Sequence, residues 1–255
     1  MQQKLAGKVA LVTGGGGGIG SVTAHAYARE GAKVAVVDIN GAAARDVADA
    51  INALGGEAVG LATDVSKSGE VAAMVEQVVA RFGRLDIAFN NAGIDIEHEP
   101  LALVTEETFD KLMGVNVKGV WLCMKYEILQ MLKQGGGGGA IVNTSSIGGL
   151  IGAPRQPIYG TTKHAVLGMT KAAAVEYGRK GIRINAVCPG IIRTEMTERA
   201  IARDPRRKTY IEQAHPIGRM GEAEDIANAV VFLSSDDAAF IIGHAMPVDG
   251  GFTAR

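Results

Sequence analysis

The segment "KVALVTGGGGGIGSVTAHAYAREGAKVAVVD", residues 8 to 38, restricts the fold more than any other part of the chain. Its apolar run at 8 to 13 stops at glycines and is too short for a buried helix, so it reads as a strand. Ile19, Val22, Ala26 and Tyr27 then fall near one helical face before Gly31 ends the pattern. "AKVAVVD" repeats the first strand. Strand, helix and strand within about thirty residues form a βαβ unit, whose two strands are parallel and whose crossover is right-handed.

The alternation continues. "AAARDVADAINALGG" predicts a helix, "EAVGLATDV" a strand, "SGEVAAMVEQVVARFG" a helix and "RLDIAFNNAG" a strand. Residues 105 to 133 predict one long helix or two joined ones, with Thr105 as N-cap. Thr108 cannot reach back to complete a capping box, although Glu106 and Glu107 suit the first turn electrostatically. The five glycines at 135 to 139 then read as a helix-to-strand turn, not a hinge between domains. "AIVNTSS" and "IRINAVCPG" predict strands around the helix "PIYGTTKHAVLGMTKAAAVEYGRKG"; "EAEDIANAVVFLSSD" and "AMPVDGG" close the chain. Near-continuous apolar strands separated by amphipathic helices imply a parallel sheet covered on both faces. The expected fold is therefore α/β: a single doubly wound domain of about seven strands over residues 1 to 255, interrupted by a polar stretch at 193 to 215.

Glycines at the first turn allow positive φ and let the backbone approach a pyrophosphate, while the helix start behind them offers amide donors. Asp38 ends the second strand, twenty residues after Gly18. Its carboxylate can accept from both ribose hydroxyls of an adenosine and would repel a 2′-phosphate, which favours NAD over NADP. No Lys or Arg lies in the loop to receive that phosphate; Lys33 and Arg45 are the candidates that could fold over it. The run fits two glycine registers, Gly15, Gly17 and Gly20 or the wider Gly14, Gly18 and Gly20.

Bulk composition excludes several other classes. Lys+Arg is 26 against Asp+Glu 27, so there is no polyanion-seeking surface and nucleic acid is not an expected partner. Cys123 and Cys188 stand far apart, outside any Cys-x-x-Cys spacing, and the five histidines show no paired ligand spacing, so no metal site is expected. No segment supplies the ~20 apolar residues of a membrane span, and the N-terminus has no processing signal, so a cytoplasmic location is expected.

A second set of residues carries the reaction. Tyr159 and Lys163 lie four apart on a predicted helix and can face one cleft. Bringing a phenol from its ordinary pKa of ~10 to near neutrality takes about 4 kcal/mol, and a neighbouring ammonium can supply part of it. With Ser146 thirteen residues before Tyr159, Asn116 in the long helix, and Thr13-Gly14-x-x-x-Gly18-Ile19-Gly20, the chain resembles the classical short-chain dehydrogenase/reductase family throughout its length. Asp64-Val65, Asn90-Asn91-Ala92-Gly93 and Pro189-Gly190 with Thr194 also match that family's motifs.

The resemblance selects the wider glycine register and implies a Rossmann-like fold. It further implies hydride transfer between NAD and a carbinol carbon. Tyr159 is then the acid/base, Ser146 holds the substrate oxygen, and Lys163 touches the nicotinamide ribose and lowers the Tyr159 pKa. Asn116 holds a water leading from Lys163 to solvent. Gly14, Gly18, Ile19, Gly20, Asp38, Asp64, Val65, Asn91, Ala92 and Gly93 bind the cofactor, and Ile192 and Thr194 meet its carboxamide. Substrate contacts are expected from Glu97, His98, Glu99, Leu150, Ile151, Arg155 and Gln156, and from Met196 and Ile201 in a lid at 193 to 215. A small alcohol or ketone is the implied substrate and a homotetramer the implied assembly. Two rival readings share the sheet: an epimerase or dehydratase of the extended relatives, and a dinucleotide-binding protein without catalysis.

Overall fold

Each predicted strand pairs edge to edge with its neighbours in one seven-stranded sheet of order β3-β2-β1-β4-β5-β6-β7, with every pairing parallel. The strands are β1 Val9–Thr13, β2 Lys33–Asp38, β3 Ala58–Ala62, β4 Ile87–Asn90, β5 Gly139–Thr144, β6 Ile182–Pro189 and β7 Ala245–Val248. This computed structural model describes residues 3–135, 138–193, 197–198, 209, 211 and 213–254. The expected lid at 193 to 215, with Thr194, Met196 and Ile201, falls largely outside the described residues. Among the described residues no helix is long and apolar enough to cross a membrane.

Alternation along each strand divides the core in two. Ala10, Val12, Val34 and Val36 face α1 (Gly18–Arg29), α2 (Gly41–Ala53) and the late helix α7 (Ala223–Ser234). Val9, Leu11, Ala35 and Val37 face α3 (Ser68–Phe82), α5 (Val120–Lys133) and α6 (Pro157–Tyr177). Each fully buried Val or Leu contributes roughly 1.5–3 kcal/mol, so these two layers supply most of the driving force for folding. Tyr27 is buried and its hydroxyl lies 2.7 Å from Ser234 Oγ, joining α1 to α7.

Helix starts follow local chemistry. Asn40 caps α2 by accepting from the amides of Ala42 and Ala43, and Thr105 Oγ1 accepts from Thr108 N at the start of α4 (Glu106–Leu112). The 105 to 133 region is two α-helices joined by a π-helical segment, Met113–Gly119. Its wider turn carries Asn116, and such segments often occur at functional sites. Strand order reverses between β1 and β4, so a crevice opens beyond their carboxyl ends.

Candidate active site

The glycine loop lies at that crevice. Gly14 and Gly18 take positive φ, +63° and +50°, the conformations that side chains resist. A Cβ on Gly20 would overlap the Gly14 carbonyl, so the first turn of α1 packs directly onto the loop. The N-cap of α1 is Gly17, which offers no capping side chain and leaves first-turn amides available to an anion. This cradle fits a dinucleotide pyrophosphate. The sequence suggests that Gly15, Gly16 and Gly17 are a permissive interior, and that holds only for Gly17, whose Cβ would meet nothing. A Cβ on Gly15 would come within 2.7 Å of Val36 Cγ1, and one on Gly16 within 2.9 Å of Asp38 Oδ2.

Asp38 supports the loop from below: Oδ2 accepts from Gly16 N at 3.0 Å and Oδ1 from Asn40 N at 2.9 Å. Carboxylate oxygens have further lone pairs, so the side chain can still accept from ribose hydroxyls. Of the two cations near it in sequence, Lys33 pairs with Glu57 at 2.8 Å, whereas Arg45 is exposed with its guanidinium beside Gly41. Asp64 accepts from Ser66 N and Oγ, and Val65 is buried against Gly119 of the π segment.

Strand ends are stapled together around the crevice. Thr13 Oγ1 accepts from Asn91 N and Ala92 N at 3.0 and 3.1 Å. Asn91 Nδ2 donates to the carbonyls of Thr13 and Gly14, and its Oδ1 accepts from Thr144 Oγ1. Gly93 keeps a side chain out of the centre, because a Cβ there would lie 3.3 Å from Asn116 Oδ1 and 3.5 Å from Lys163 Nζ. Asn116 is fully buried, accepting from Ile94 N at 2.8 Å and donating to Ile94 O at 2.9 Å.

Ser146, Tyr159 and Lys163 converge beside these strand ends. Ser146 Oγ accepts from Gly148 N at 3.1 Å, and Ser146 and Tyr159 close on the same glycine: a Cβ on Gly148 would lie 3.6 Å from Ser146 Oγ and 3.7 Å from Tyr159 Cε1. Ser145, the neighbouring hydroxyl, is buried and donates to Lys163 O, so it serves packing. Lys163 Nζ donates to Thr144 O at 3.0 Å and lies 5.5 Å from the centre of the Tyr159 ring.

The electrostatics differ from the sequence expectation that Lys163 lowers Tyr159. Burial pushes the Tyr159 phenol up to about 12; the Ser146 hydrogen bond opposes this and the negative charge of Asp95 adds to it. Burial also pushes Lys163 down to about 8, against the pull of Asp95 and Cys188. In the chain alone, desolvation sets the direction of both shifts.

The loop after β4 does not serve as expected either. Glu97, read from the sequence as a substrate contact, is only 1% exposed, and its carboxylate accepts from the amides of Ile158 and Tyr159. Gln156 Nε2 donates to Asp95 Oδ2 at 2.6 Å, and Arg155 Nε donates to His98 O at 2.8 Å. His98 and Glu99 are exposed, and Leu150 and Ile151 remain at least partly accessible. Asp95 was not singled out in the sequence, since an acid in a loop carries no local signal.

His215 is another residue without a sequence signal. It is buried, with Nδ1 2.7 Å from Ile211 O, so Nδ1 carries the proton and Nε2 accepts from Ile191 N at 3.2 Å. It thereby holds the segment leading into Ile192, which is buried and bridges to Gly221.

Comparison with known proteins agrees with this geometry. A family model described as enoyl-(acyl carrier protein) reductase matches residues 14–253. The chain is 46% identical over 250 residues to a 2,5-dichloro-2,5-cyclohexadiene-1,4-diol dehydrogenase of Sphingobium indicum, covering 98% of each chain. It is 44% identical over 255 residues to a cyclohexanol dehydrogenase of Acinetobacter sp., covering 100% of this chain and 98% of the relative. The crystal structure of levodione reductase superposes with a TM-score of 0.92 at 41% identity, covering 98% of this chain and 99% of that one. With the glycine cradle, the Ser146, Tyr159 and Lys163 cluster and these relatives in agreement, the chain belongs to the short-chain dehydrogenase/reductase family and is an oxidoreductase of alcohol and ketone groups.

Proposed function

We propose that the protein is an NAD-preferring dehydrogenase/reductase of small secondary alcohols and their ketones, with cyclic substrates as the first class to test. The carrying observation is the convergence of Ser146, Tyr159 and Lys163 at the strand ends that flank the glycine cradle, with Lys163 Nζ 5.5 Å from the centre of the Tyr159 ring and Ser146 Oγ and the edge of that ring both against Gly148. Relatives named for cyclohexanol and a cyclohexadiene diol support a ring-shaped substrate.

In this reading Gly14, Gly18, Ile19 and Gly20 hold the pyrophosphate through backbone amides. Asp38 takes the adenosine ribose hydroxyls, Asp64 and Val65 border the adenine, and Asn91, Ala92 and Gly93 line the path to the nicotinamide. Lys163 takes the nicotinamide ribose, while Ile192 and Thr194 hold the carboxamide. When bound, NAD supplies the acceptor for a hydride and a positive charge. Ser146 donates to the substrate oxygen and fixes it beside the phenol. Tyr159 takes the hydroxyl proton during oxidation and returns it to the carbonyl oxygen during reduction. Asn116 helps hold a water that links Lys163 to solvent, a reading supported by both side chains facing Gly93.

The NAD preference follows from Asp38, whose carboxylate would meet a 2′-phosphate with like charge. A homotetramer is part of the proposal, supported by exposed apolar residues on two neighbouring helices, Trp121, Leu129 and Leu132 on α5 and Val175 on α6. So is a cytoplasmic location, where the unpaired Cys123 and Cys188 stay reduced. The test is a panel of cyclic and open-chain secondary alcohols with NAD and NADP, followed by the absorbance of reduced nicotinamide. Turnover with NAD preferred is expected. NADH binding with no turnover across the panel would return the protein to a dinucleotide-binding role.

A further inference from the structure

Helix α6 carries both Tyr159 and Lys163, yet no residue of its own caps it. Gln156 occupies the N-cap position without a side-chain bond to the first turn. Pro157 at the first helical position has no N–H, and Gly160 N makes the first intrahelical bond, to Gln156 O at 2.9 Å. That leaves two first-turn donors to satisfy, Ile158 N and Tyr159 N. Both are taken by Glu97, from a loop some sixty residues earlier. Ile158 N donates to both carboxylate oxygens at 3.1 and 2.9 Å, and Tyr159 N donates to Oε2 at 2.8 Å.

We propose that Glu97 is the positioning residue of the acid/base: its buried carboxylate caps the catalytic helix and sets where the Tyr159 phenol stands relative to Ser146. The proposal rests on the acid/base role of Tyr159 given above. Charge-assisted bonds from a carboxylate are stronger than neutral ones, and negative charge is favoured at a helix N-terminus. Adjacent bonds hold Glu97 in register. Gln156 is tied to Asp95, and Arg155, at a φ of 64° that non-glycine residues seldom adopt, donates to His98 O. The loop that leaves β4 just past Gly93 and the start of α6 therefore form one strap. A shift of about 1 Å in a reacting group can cost ~100-fold in rate, so a cap bonded to the tyrosine's own amide acts on chemistry as well as on folding.

The experiment compares Glu97→Gln and Glu97→Asp with the unaltered protein. Glutamine keeps the length but offers one acceptor oxygen and turns an N–H₂ toward the helix donors; aspartate keeps the charge but not the reach. Amide exchange of a peptide spanning 158 to 163 should accelerate at least tenfold in both variants, a readout that needs no substrate. With an alcohol substrate, kcat should fall at least tenfold while the NADH dissociation constant changes less than twofold. The pH midpoint of oxidation should move upward, because a phenol farther from Ser146 loses the hydrogen bond that favours its ionised form. Unchanged exchange would overturn the cap. Faster exchange with kcat and the pH midpoint unchanged, or with NADH affinity falling in parallel with kcat, would overturn the positioning role. If the unaltered protein oxidises no alcohol, the reading of function fails instead, and exchange still decides the cap.

Discussion

Glu127 should make the fold less stable as pH rises through neutrality, and the structure gives the size of the effect. It is fully buried on α5, where Oε2 accepts from Asn90 Nδ2 at 2.9 Å, while Oε1 and Asn90 Oδ1 find no partner among the described residues. Burial pushes its carboxyl from the ordinary 4.5 up to about 8, against the opposing Asn90 bond. Below the ordinary carboxyl value both folded and unfolded chains hold the proton, and there is no penalty. Between there and about pH 8 the unfolded chain releases the proton and the folded one keeps it, so stability falls as pH rises, by about 1.4 kcal/mol per pH unit. The accumulated loss is about 3 kcal/mol at pH 7 and levels near about 5 kcal/mol above pH 8, a large share of a typical total.

Glu127→Gln carries no proton to lose and retains an oxygen to accept from Asn90. Urea unfolding at fixed protein concentration, from about pH 5 to about pH 8, should show a slope shallower in the variant by one proton's worth. The variant should also be more stable at the upper end, by roughly 3 kcal/mol or more. Parallel pH profiles for the two proteins would refute the buried neutral carboxyl.

Three further outcomes follow from the cofactor side of the site. Gly16→Ala should weaken NADH binding roughly tenfold or more by pushing Asp38 aside, whereas Gly17→Ala should change it less than about twofold; fluorescence titration separates them. Asp38→Asn removes the like charge that would face a 2′-phosphate and should raise the NADP/NAD ratio of kcat/KM at least about tenfold, an energy well within that of one screened charge pair. Because Tyr159 must lose its proton for oxidation and hold it for reduction, oxidation should speed up with rising pH and reduction slow down, read from initial rates in both directions.

Much of the fold was legible because its signals are local. The glycine turn, the strand lengths and the four-residue step from Tyr159 to Lys163 are each set by a few consecutive residues, and parallel βαβ units leave little topological freedom. What escaped depends on contacts distant along the chain. Glu97 reads as one acid in a polar loop, and only the fold brings it to an uncapped helix from far away in sequence. Gly15 and Gly16 look interchangeable with Gly17 until Val36 and Asp38 close in beneath them. The raised Tyr159 and Glu127 values come from burial, which residue spacing does not report. The π segment escaped for a related reason: its period differs from an α-helix over only one or two turns, too short a stretch for apolar spacing to reveal.

The central claim is that the Tyr159 hydroxyl carries the proton of an alcohol/ketone interconversion. Tyr159→Phe removes that oxygen and keeps the ring, the α6 backbone and its cap. Its turnover of an alcohol that the unaltered protein oxidises should fall by about 1000-fold or more, within the range of general acid/base contributions, with NADH affinity retained within about threefold. Turnover within about tenfold of the unaltered enzyme, at equal NADH affinity, would contradict the account and move the proton to another group.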